Sequence, residues 1–333
     1  MKILVCGGAG FIGSTFIKNY FKNHPEHEII NLDSLTIGSN LNNLKELENN
    51  SNYEFVKGDI KNQEIIDKLM DNVAVIVNFA AESHVDRSIS NPRPFIETNI
   101  LGTYNLLEAT KHHDKLFIHV STDEVYGDAE NSNPFTEKSQ INPSNPYSAT
   151  KASADHLVAA YAKTYGIKCI TTRCTNNFGP NQFPEKLIPK TIIRAKKDLK
   201  IPLYGNGQQI RSWIYVYDHV QAIEDLIFKG ISGKEYNITA WNEISNKTIV
   251  EKILDLLGKP HDLIEFVKDR PGHDIRYSID ASKIQNEIGW KPKYEFEQSL
   301  NKTVQWYEKN QSWWEPLVDE KSIHPQPWTL DWK

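Results

Sequence analysis

Thr122, Asp123 and Glu124 follow one another where an apolar run ends, in HVSTDEVYG at 119–127. A hydroxyl and two carboxylic acids can give and take protons. Two adjacent carboxyls can do both at once if mutual repulsion and unequal burial push their pKa values apart. The plain alternative is surface polarity where a strand becomes a loop. Strand alternation sends neighbouring side chains to opposite faces, so the three can meet one molecule only if the strand ends around Ser121 or Thr122.

A second pair lies in NPYSATKA, where Tyr147 and Lys151 are four residues apart. Asn145 can cap a helix and Pro146 fits its first turn, which sets the pair on one face. Bringing a phenol from about 10 to about 7 requires roughly 4 kcal/mol. One ammonium at about 4 Å supplies a similar amount at an effective dielectric near 20. Tyr147 is therefore expected to accept an alcohol proton, with Lys151 lowering its pKa. The spacing alone is weak. Tyr53 and Lys57 share it in YEFVK, but on a strand they would stand roughly 13 Å apart.

These groups need a partner that accepts hydride, and the first turn offers a place for one. GGAGFIG at 7–13 follows an apolar strand and opens a helix. Gly7, Gly10 and Gly13 read as GxxGxxG, and Gly8, Gly10 and Gly13 as GxGxxG. Such glycines let the backbone turn tightly and approach a pyrophosphate at a helix N-terminus. Asp33 closes the second strand, 20 residues beyond Gly13. A carboxylate there accepts from ribose hydroxyls and repels a 2′-phosphate, which favours NAD over NADP. Asp59 and Ile60, in GDI at the end of the third strand, could meet the adenine or form a plain turn.

The surrounding pattern supplies the scaffold. KILVCGG, EIINLD, YEFVKGDI, AVIVNFAA, KLFIHVS and KCITTRCTN are strand-like and alternate with helical stretches. Strands apolar on both faces, separated by helices, predict an α/β fold: a Rossmann-type doubly wound parallel sheet. The expected division is a dinucleotide-binding domain over 1–175 and a smaller, irregular, interleaved C-terminal substrate lobe over 176–314. Returns to the first domain are expected near 214–240, and a Trp- and Pro-rich, partly ordered tail over 315–333. Trp213, Trp290 and Trp306 read as core, RAKKDLK at 194–200 as a solvated helix face, and His112–His113 as a helix end.

The chain has 333 residues and a net charge of −5, with acids and bases interspersed. No basic stripe argues for nucleic acid. Cys6, Cys169 and Cys174 have no paired spacing, and the histidines no ligand spacing, so neither a disulfide framework nor a metal is expected. No apolar run is long enough for a signal peptide or a bilayer span. The expected location is the cytoplasm.

The density of motifs identifies a resemblance to the extended short-chain dehydrogenase/reductases, and within them to the dTDP-glucose 4,6-dehydratases. GGAGFIGS, AAESHVDRSI, STDEVYG, YSATKA, NNFGPNQFPEKLIP, RSWIYVYDH, DRPGHDIRY and GWKP carry it, in the family's order, over roughly residues 1–314. The resemblance implies a dTDP-linked glucose as substrate, NAD as cofactor and a rhamnose or related deoxysugar pathway. It implies oxidation at sugar C4 with Tyr147 as base and Lys151 beside it. Glu124 would remove the C5 proton, Asp123 would protonate the departing C6 hydroxyl, and hydride would return to C6. Thr122 would hydrogen-bond the C4 oxygen or Tyr147. Phe11, Ile12, Asp33, Asp59, Ile60, Ala80, Thr98, Tyr147, Lys151 and Asn177 fall at cofactor positions. Ser83, Asn176, Lys186, Leu187, Pro202, Tyr204, Arg211, Asn246, Arg270 and His273 fall at substrate positions. Arg211 and Arg270 would pair with the diphosphate.

The chain departs from the family at Ile37, Ser212, Thr239 and Ala240, which bear on the nucleotide grip rather than on the catalytic set. The family's habit implies a homodimer through helices around 98–112 and 147–165. The first would present a stripe of Leu101, Tyr104 and Leu107, which core packing explains equally well. Two other functions fit parts of the pattern. A 4-epimerase would share fold and cofactor but has no use for Asp123 and Glu124. A silent NAD-binding sensor has no use for Tyr147 and Lys151 either.

Overall fold

A computed structural model describes residues 1–111, 113–130 and 132–332. His112, Asn131 and Lys333 lie outside the described residues, and with His112 part of the expected helix end.

Twelve strands run along the described chain. They are β1 (Lys2–Cys6), β2 (Glu28–Asp33), β3 (Tyr53–Lys57), β4 (Val75–Asn78), β5 (Leu116–Thr122) and β6 (Lys168–Cys174), then β7 (Asn176–Phe178), β8 (Ile201–Tyr204), β9 (Ile210–Tyr215), β10 (Lys234–Ile238), β11 (Asn242–Ser245) and β12 (Ile264–Val267). Seven of them form one sheet in the order β10-β6-β5-β4-β1-β2-β3, parallel throughout. The chain order reverses between β1 and β4, so the strand ends diverge there and leave a crevice at their carboxyl side.

β1 displays the reason for the apolar runs. Ile3 and Val5 join one buried cluster, while Leu4 and Cys6 join another on the opposite face. Helices Phe11–Asn23 and Val216–Lys229 pack together over the first face. Helices Gln63–Leu69, Thr103–Lys111 and Pro146–Tyr165 cover the second. Each face thus removes its aliphatic side chains from water, the main favourable term in such a fold.

The second lobe is built from a three-stranded sheet, β11-β9-β7, and a two-stranded one, β12-β8. Helices Leu187–Lys196, Asn246–Leu257 and Phe296–Lys309 close it around Phe178, Ile192, Trp213, Leu300, Tyr307 and Trp314. β7 starts two residues after β6 ends, so Asn176 and Asn177 sit where the chain passes from one sheet to the other.

Three local expectations change. Leu101 and Tyr104 are exposed, but Leu107 is fully buried in the sheet-facing core. Six residues at about 100° each fall well short of two full turns, so Leu107 points elsewhere. Arg194 of RAKKDLK is buried and donates to the carbonyls of Lys200 and Ile323, so that helix face is not wholly solvated. The tail over 319–332 folds back onto the second lobe, with Trp328 buried.

Candidate active site

The site begins where β5 stops. Thr122 is the strand's last residue, and a single 3-10 turn, Asp123–Tyr126, follows at once. The Thr122 hydroxyl caps that turn by accepting from the Glu124 amide at 3.3 Å. Breaking the strand's alternation at this point lets Thr122, Asp123 and Glu124 all line one cavity of about 510 Å³. Glu124 also lines an adjoining cavity of about 160 Å³.

The two acids are buried in unlike fields. Burial first, and the Glu124 charge second, raise the Asp123 carboxyl to about 8. Its Oδ1 accepts from Thr122 at 3.2 Å, and its buried Oδ2 has no partner among the described residues. Burial also raises Glu124, but Arg270, Arg211 and Lys186 oppose that rise. Near neutral pH Asp123 is therefore the proton donor of the pair, and Glu124 the better acceptor.

Tyr147 and Lys151 stand on helix Pro146–Tyr165, held by an Asn145–Ser148 capping box. Both are buried and line the larger cavity with the acids. Their electrostatics depart from the sequence expectation. Burial drives the phenol well above its usual range, Glu124 adds to that, and a hydrogen bond with Thr122 opposes it. The Lys151 ammonium donates to the Val120 carbonyl at 2.8 Å. Burial lowers it to about 8, against the opposing field of Asp155. The helical spacing sets the pair beside one cavity, but burial raises the phenol and lowers the ammonium.

The glycine turn and Asp33 lie at the far end of the same cavity. Gly7 has a φ of +77°, and a Cβ there would lie 2.6 Å from the Ala80 amide nitrogen. A Cβ on Gly13 would overlap the Gly7 carbonyl oxygen. The cradle therefore exists only because these residues lack side chains, which is the fit a pyrophosphate requires. Asp33 accepts from the Ala9 amide at 2.9 Å, the Leu35 amide at 2.8 Å and the Ser39 hydroxyl at 2.9 Å. It thus holds the loop in place as well as facing the cavity. Gly10, Phe11, Ile12, Asp59, Ile60, Ala80, Thr98 and Asn177 line the same space, so these positions come together. Exposed Ile37 sits at its rim.

The substrate positions gather around the second cavity. Leu187, Pro202, Tyr204, Arg211, Asn246, Arg270 and His273 line it, Ser83 lines the first, and Asn176 and Lys186 line both. Arg211 donates to the carbonyls of Ile210 at 2.7 Å and Asp274 at 2.9 Å, and lies 4.2 Å over the Tyr277 ring. Arg270 donates to Asp86 Oδ1 at 2.8 Å, and its buried Nε has no partner among the described residues. Asn176 Oδ1 is likewise buried and without a partner among the described residues. Such atoms are what a polar ligand would satisfy.

Sequence reasoning did not single out Asp86, Glu185, Lys190 or Tyr277, all of which line the second cavity. Burial opposes ionisation of Asp86, but Arg270 outweighs it and keeps the carboxyl below its usual range. The available signal was the charged pair Asp86–Arg87 inside the otherwise uncharged run SHVDRSI. Trp213, read as core, is buried among aromatic side chains and also walls this cavity. At the departures, the buried Ser212 and Thr239 hydroxyls lie 2.8 Å apart and satisfy each other, while Ala240 packs against the sheet core.

Known proteins share this architecture. The family model described as GDP-mannose 4,6 dehydratase matches residues 4–303. The dTDP-glucose 4,6-dehydratase of Escherichia coli is 46% identical, over 96% of this chain and 97% of that protein. The crystal structure of dTDP-glucose 4,6-dehydratase from Bacillus anthracis, in complex with NAD, is 49% identical, with a TM-score of 0.90 over 96% of this chain and 100% of that one. The Streptomyces venezuelae enzyme, solved with NAD and TYD bound, is 42% identical, with a TM-score of 0.93 over the same shares. An unbroken parallel sheet, a glycine cradle and an acid pair beside a buried tyrosine are thus carried by a sequence that is similar along nearly its whole length, and the chain belongs to the dTDP-glucose 4,6-dehydratase family.

Proposed function

We propose that the protein dehydrates dTDP-glucose to the 4-keto-6-deoxy sugar with NAD as a recycled cofactor. The observation that carries this reading is the turn at Thr122. It brings two carboxyls of unlike proton affinity into the same cavity as Tyr147 and Lys151. A 4-epimerase needs only the latter pair, and a cofactor sensor needs neither.

Gly7, Gly10, Gly13 and Asp33 would hold NAD, which would supply a reversible hydride acceptor. Tyr147 takes the C4 hydroxyl proton, and Thr122 holds the phenol in line. Binding of a cationic nicotinamide would favour the phenolate, because positive charge nearby opposes the burial that now raises it. A C4 ketone acidifies the neighbouring C5 proton, which Glu124 removes. Asp123, protonated up to about 8, gives its proton to the C6 hydroxyl as water leaves; C6 would then take back the hydride and C5 a proton, so that the net change is the loss of one water. Arg270, Arg211 and Lys186 face the diphosphate.

The exposed Ile96, Leu101 and Tyr104 on one helical stretch support a homodimer face, whose area would be apolar as such interfaces require. The three cysteines are buried and unpaired, which supports a reducing, cytoplasmic location. A deoxysugar route such as rhamnose synthesis would use the product. A cofactor domain over 1–175 with returns near 214–240 is supported by the sheet core, which Ile214 to Ile238 join; Ala281, Ile284, Ile288 and Trp290 of the expected 176–314 lobe join that core as well, while the rest of the lobe has its own.

Incubation of the purified protein with dTDP-glucose tests the reading. The expected product has lost one water and absorbs in alkali as a 4-keto sugar. Intact dTDP-glucose, or its C4 epimer alone, would overturn it.

A further inference from the structure

The strand and helix elements end before the last stretch of chain, yet that stretch lies against the substrate-side cavity. Asp319 and Ser322 close a small loop, with the Ser322 amide donating to Asp319 Oδ1 at 2.6 Å. Helix Leu187–Lys196 then holds the chain by two cations. Arg194 donates to the Ile323 carbonyl at 2.6 Å, and Lys190 to the His324 carbonyl at 3.3 Å. A 3-10 turn, Pro327–Thr329, delivers the buried Trp328 edge-on to Tyr204, with ring centres 4.7 Å apart and planes at 81°.

Tyr204 is the first link of a polar chain. Its hydroxyl donates to Asp86 Oδ2 at 2.8 Å, and the other Asp86 oxygen accepts from Arg270. A second indole closes the far side. Trp332 donates from Nε1 to the Pro327 carbonyl at 2.8 Å and lies under the Arg87 guanidinium at 4.0 Å. Arg87 in turn donates to Glu185 from Nε at 2.9 Å. Tyr204, Asp86, Arg270, Glu185 and Lys190 all line the 160 Å³ cavity, whereas no residue after Tyr277 does. The last segment thus acts on the cavity only through other side chains.

We propose that residues 319–332 form a strap that sets the substrate-binding side chains, with Trp328 as a positioning residue for Tyr204, Asp86 and Arg270. The inference rests on the reading that this cavity receives the nucleotide sugar. An edge contact to an indole fixes the Tyr204 ring, and the ring's hydroxyl fixes Asp86. Asp86 then decides where the Arg270 fork points. Without the indole, the tyrosine gains rotamer freedom that ligand binding must remove again. The strap is tied to Asn91, Arg87, Lys190, Arg194 and Tyr204, side chains on the substrate side, whereas the glycine cradle stands on the parallel sheet. The effect should therefore separate substrate from cofactor.

The test uses the full-length protein, a chain ending at Val318, and the variants Trp328→Ala and Trp328→Phe. Calorimetry gives the Kd for dTDP and for NAD, and steady-state assays give kcat and KM for dTDP-glucose. Truncation should raise the dTDP Kd and the KM by about tenfold or more, with kcat and the NAD Kd within about twofold. Trp328→Ala should give about a fivefold rise, and Trp328→Phe should restore it to within about twofold, because the edge contact survives. If the truncated chain fails to fold, having taken a carbonyl partner from each of two buried cations, the point variants carry the test. A dTDP Kd unchanged in Trp328→Ala would overturn the strap while leaving the proposed reaction untouched. Equal losses in kcat, NAD binding and dTDP binding would also overturn it, as the mark of general damage. Full-length protein that does not bind dTDP would overturn the underlying reading and the strap with it.

Discussion

Asp123 and Glu124 share a peptide bond but not an electrostatic environment. The Asp123 carboxyl faces burial and its neighbour's charge, and rises to about 8. The Glu124 carboxyl meets the same burial, but three cations oppose it: Arg270, Arg211 and Lys186. The proposed acid and base roles would thereby be divided between two adjacent residues.

This division sets a pH dependence. Asp123 has a raised pKa, so its proton is present below about 8 and is lost as pH rises through that value. Dehydration should fall on the alkaline side, and Asp123→Asn should lower kcat by roughly 10²-fold or more and remove that limb. A kcat profile from pH 6 to pH 10 measures it. A limb of unchanged position in the variant would assign the titration to another group.

Lys151 depends on a residue one turn further along its helix. Asp155 is fully buried, accepts from Arg173 at 2.8 Å and lies 3.5 Å from His119. Burial opposes its ionisation, but His119 and Arg173 outweigh it and hold the carboxyl below its usual range. Its contribution to stability is therefore present above the ordinary carboxylate pKa and is lost as pH falls through the lower folded value. Asp155→Asn should destabilise the protein by about 3 kcal/mol, because it leaves Arg173 buried and unpaired. It should also lower the Lys151 pKa further, since the Asp155 charge now supports that ammonium. Denaturant unfolding at pH 7 and pH 2 checks the first point: the difference between wild type and variant should shrink once pH falls below the ordinary carboxylate value.

The glycine cradle should tolerate no side chain. Gly7→Ala meets both a φ of +77° and the Ala80 backbone at 2.6 Å. NAD affinity should fall by at least about tenfold, with dTDP binding much less affected. Parallel titrations of the two ligands read this. Equal affinities for NAD in variant and wild type would move the pyrophosphate elsewhere.

Much of this was legible along the chain, for physical reasons. β1, β4 and the first half of β5 are largely apolar because helices cover both faces, and that pattern needs no tertiary knowledge. Gly7, Gly13 and Asp33 could be read because backbone geometry demands glycine and the strand length sets the acid's distance. The meeting of Thr122, Asp123 and Glu124 was conditional on one strand ending, which alternation alone could not decide. The charges that oppose the rise of Glu124 come from residues 186, 211 and 270, of which Arg211 also opposes that of Asp123; all lie far along the chain and are supplied by the second lobe. Local spacing is blind to such fields. The same limit hid Asp86, whose partners Tyr204 and Arg270 approach it only in the folded state. It also misjudged Tyr147, where spacing to Lys151 was right but the depth of burial was not visible.

The base role of Glu124 is the central claim, and deuterium incorporation at sugar C5 during turnover in heavy water tests it most directly. Wild type should introduce one solvent deuterium at C5. Glu124→Gln, which keeps the shape but cannot take the proton, should lose that exchange by about 10²-fold or more while still binding dTDP-glucose. Exchange at the wild-type rate in Glu124→Gln would contradict the account.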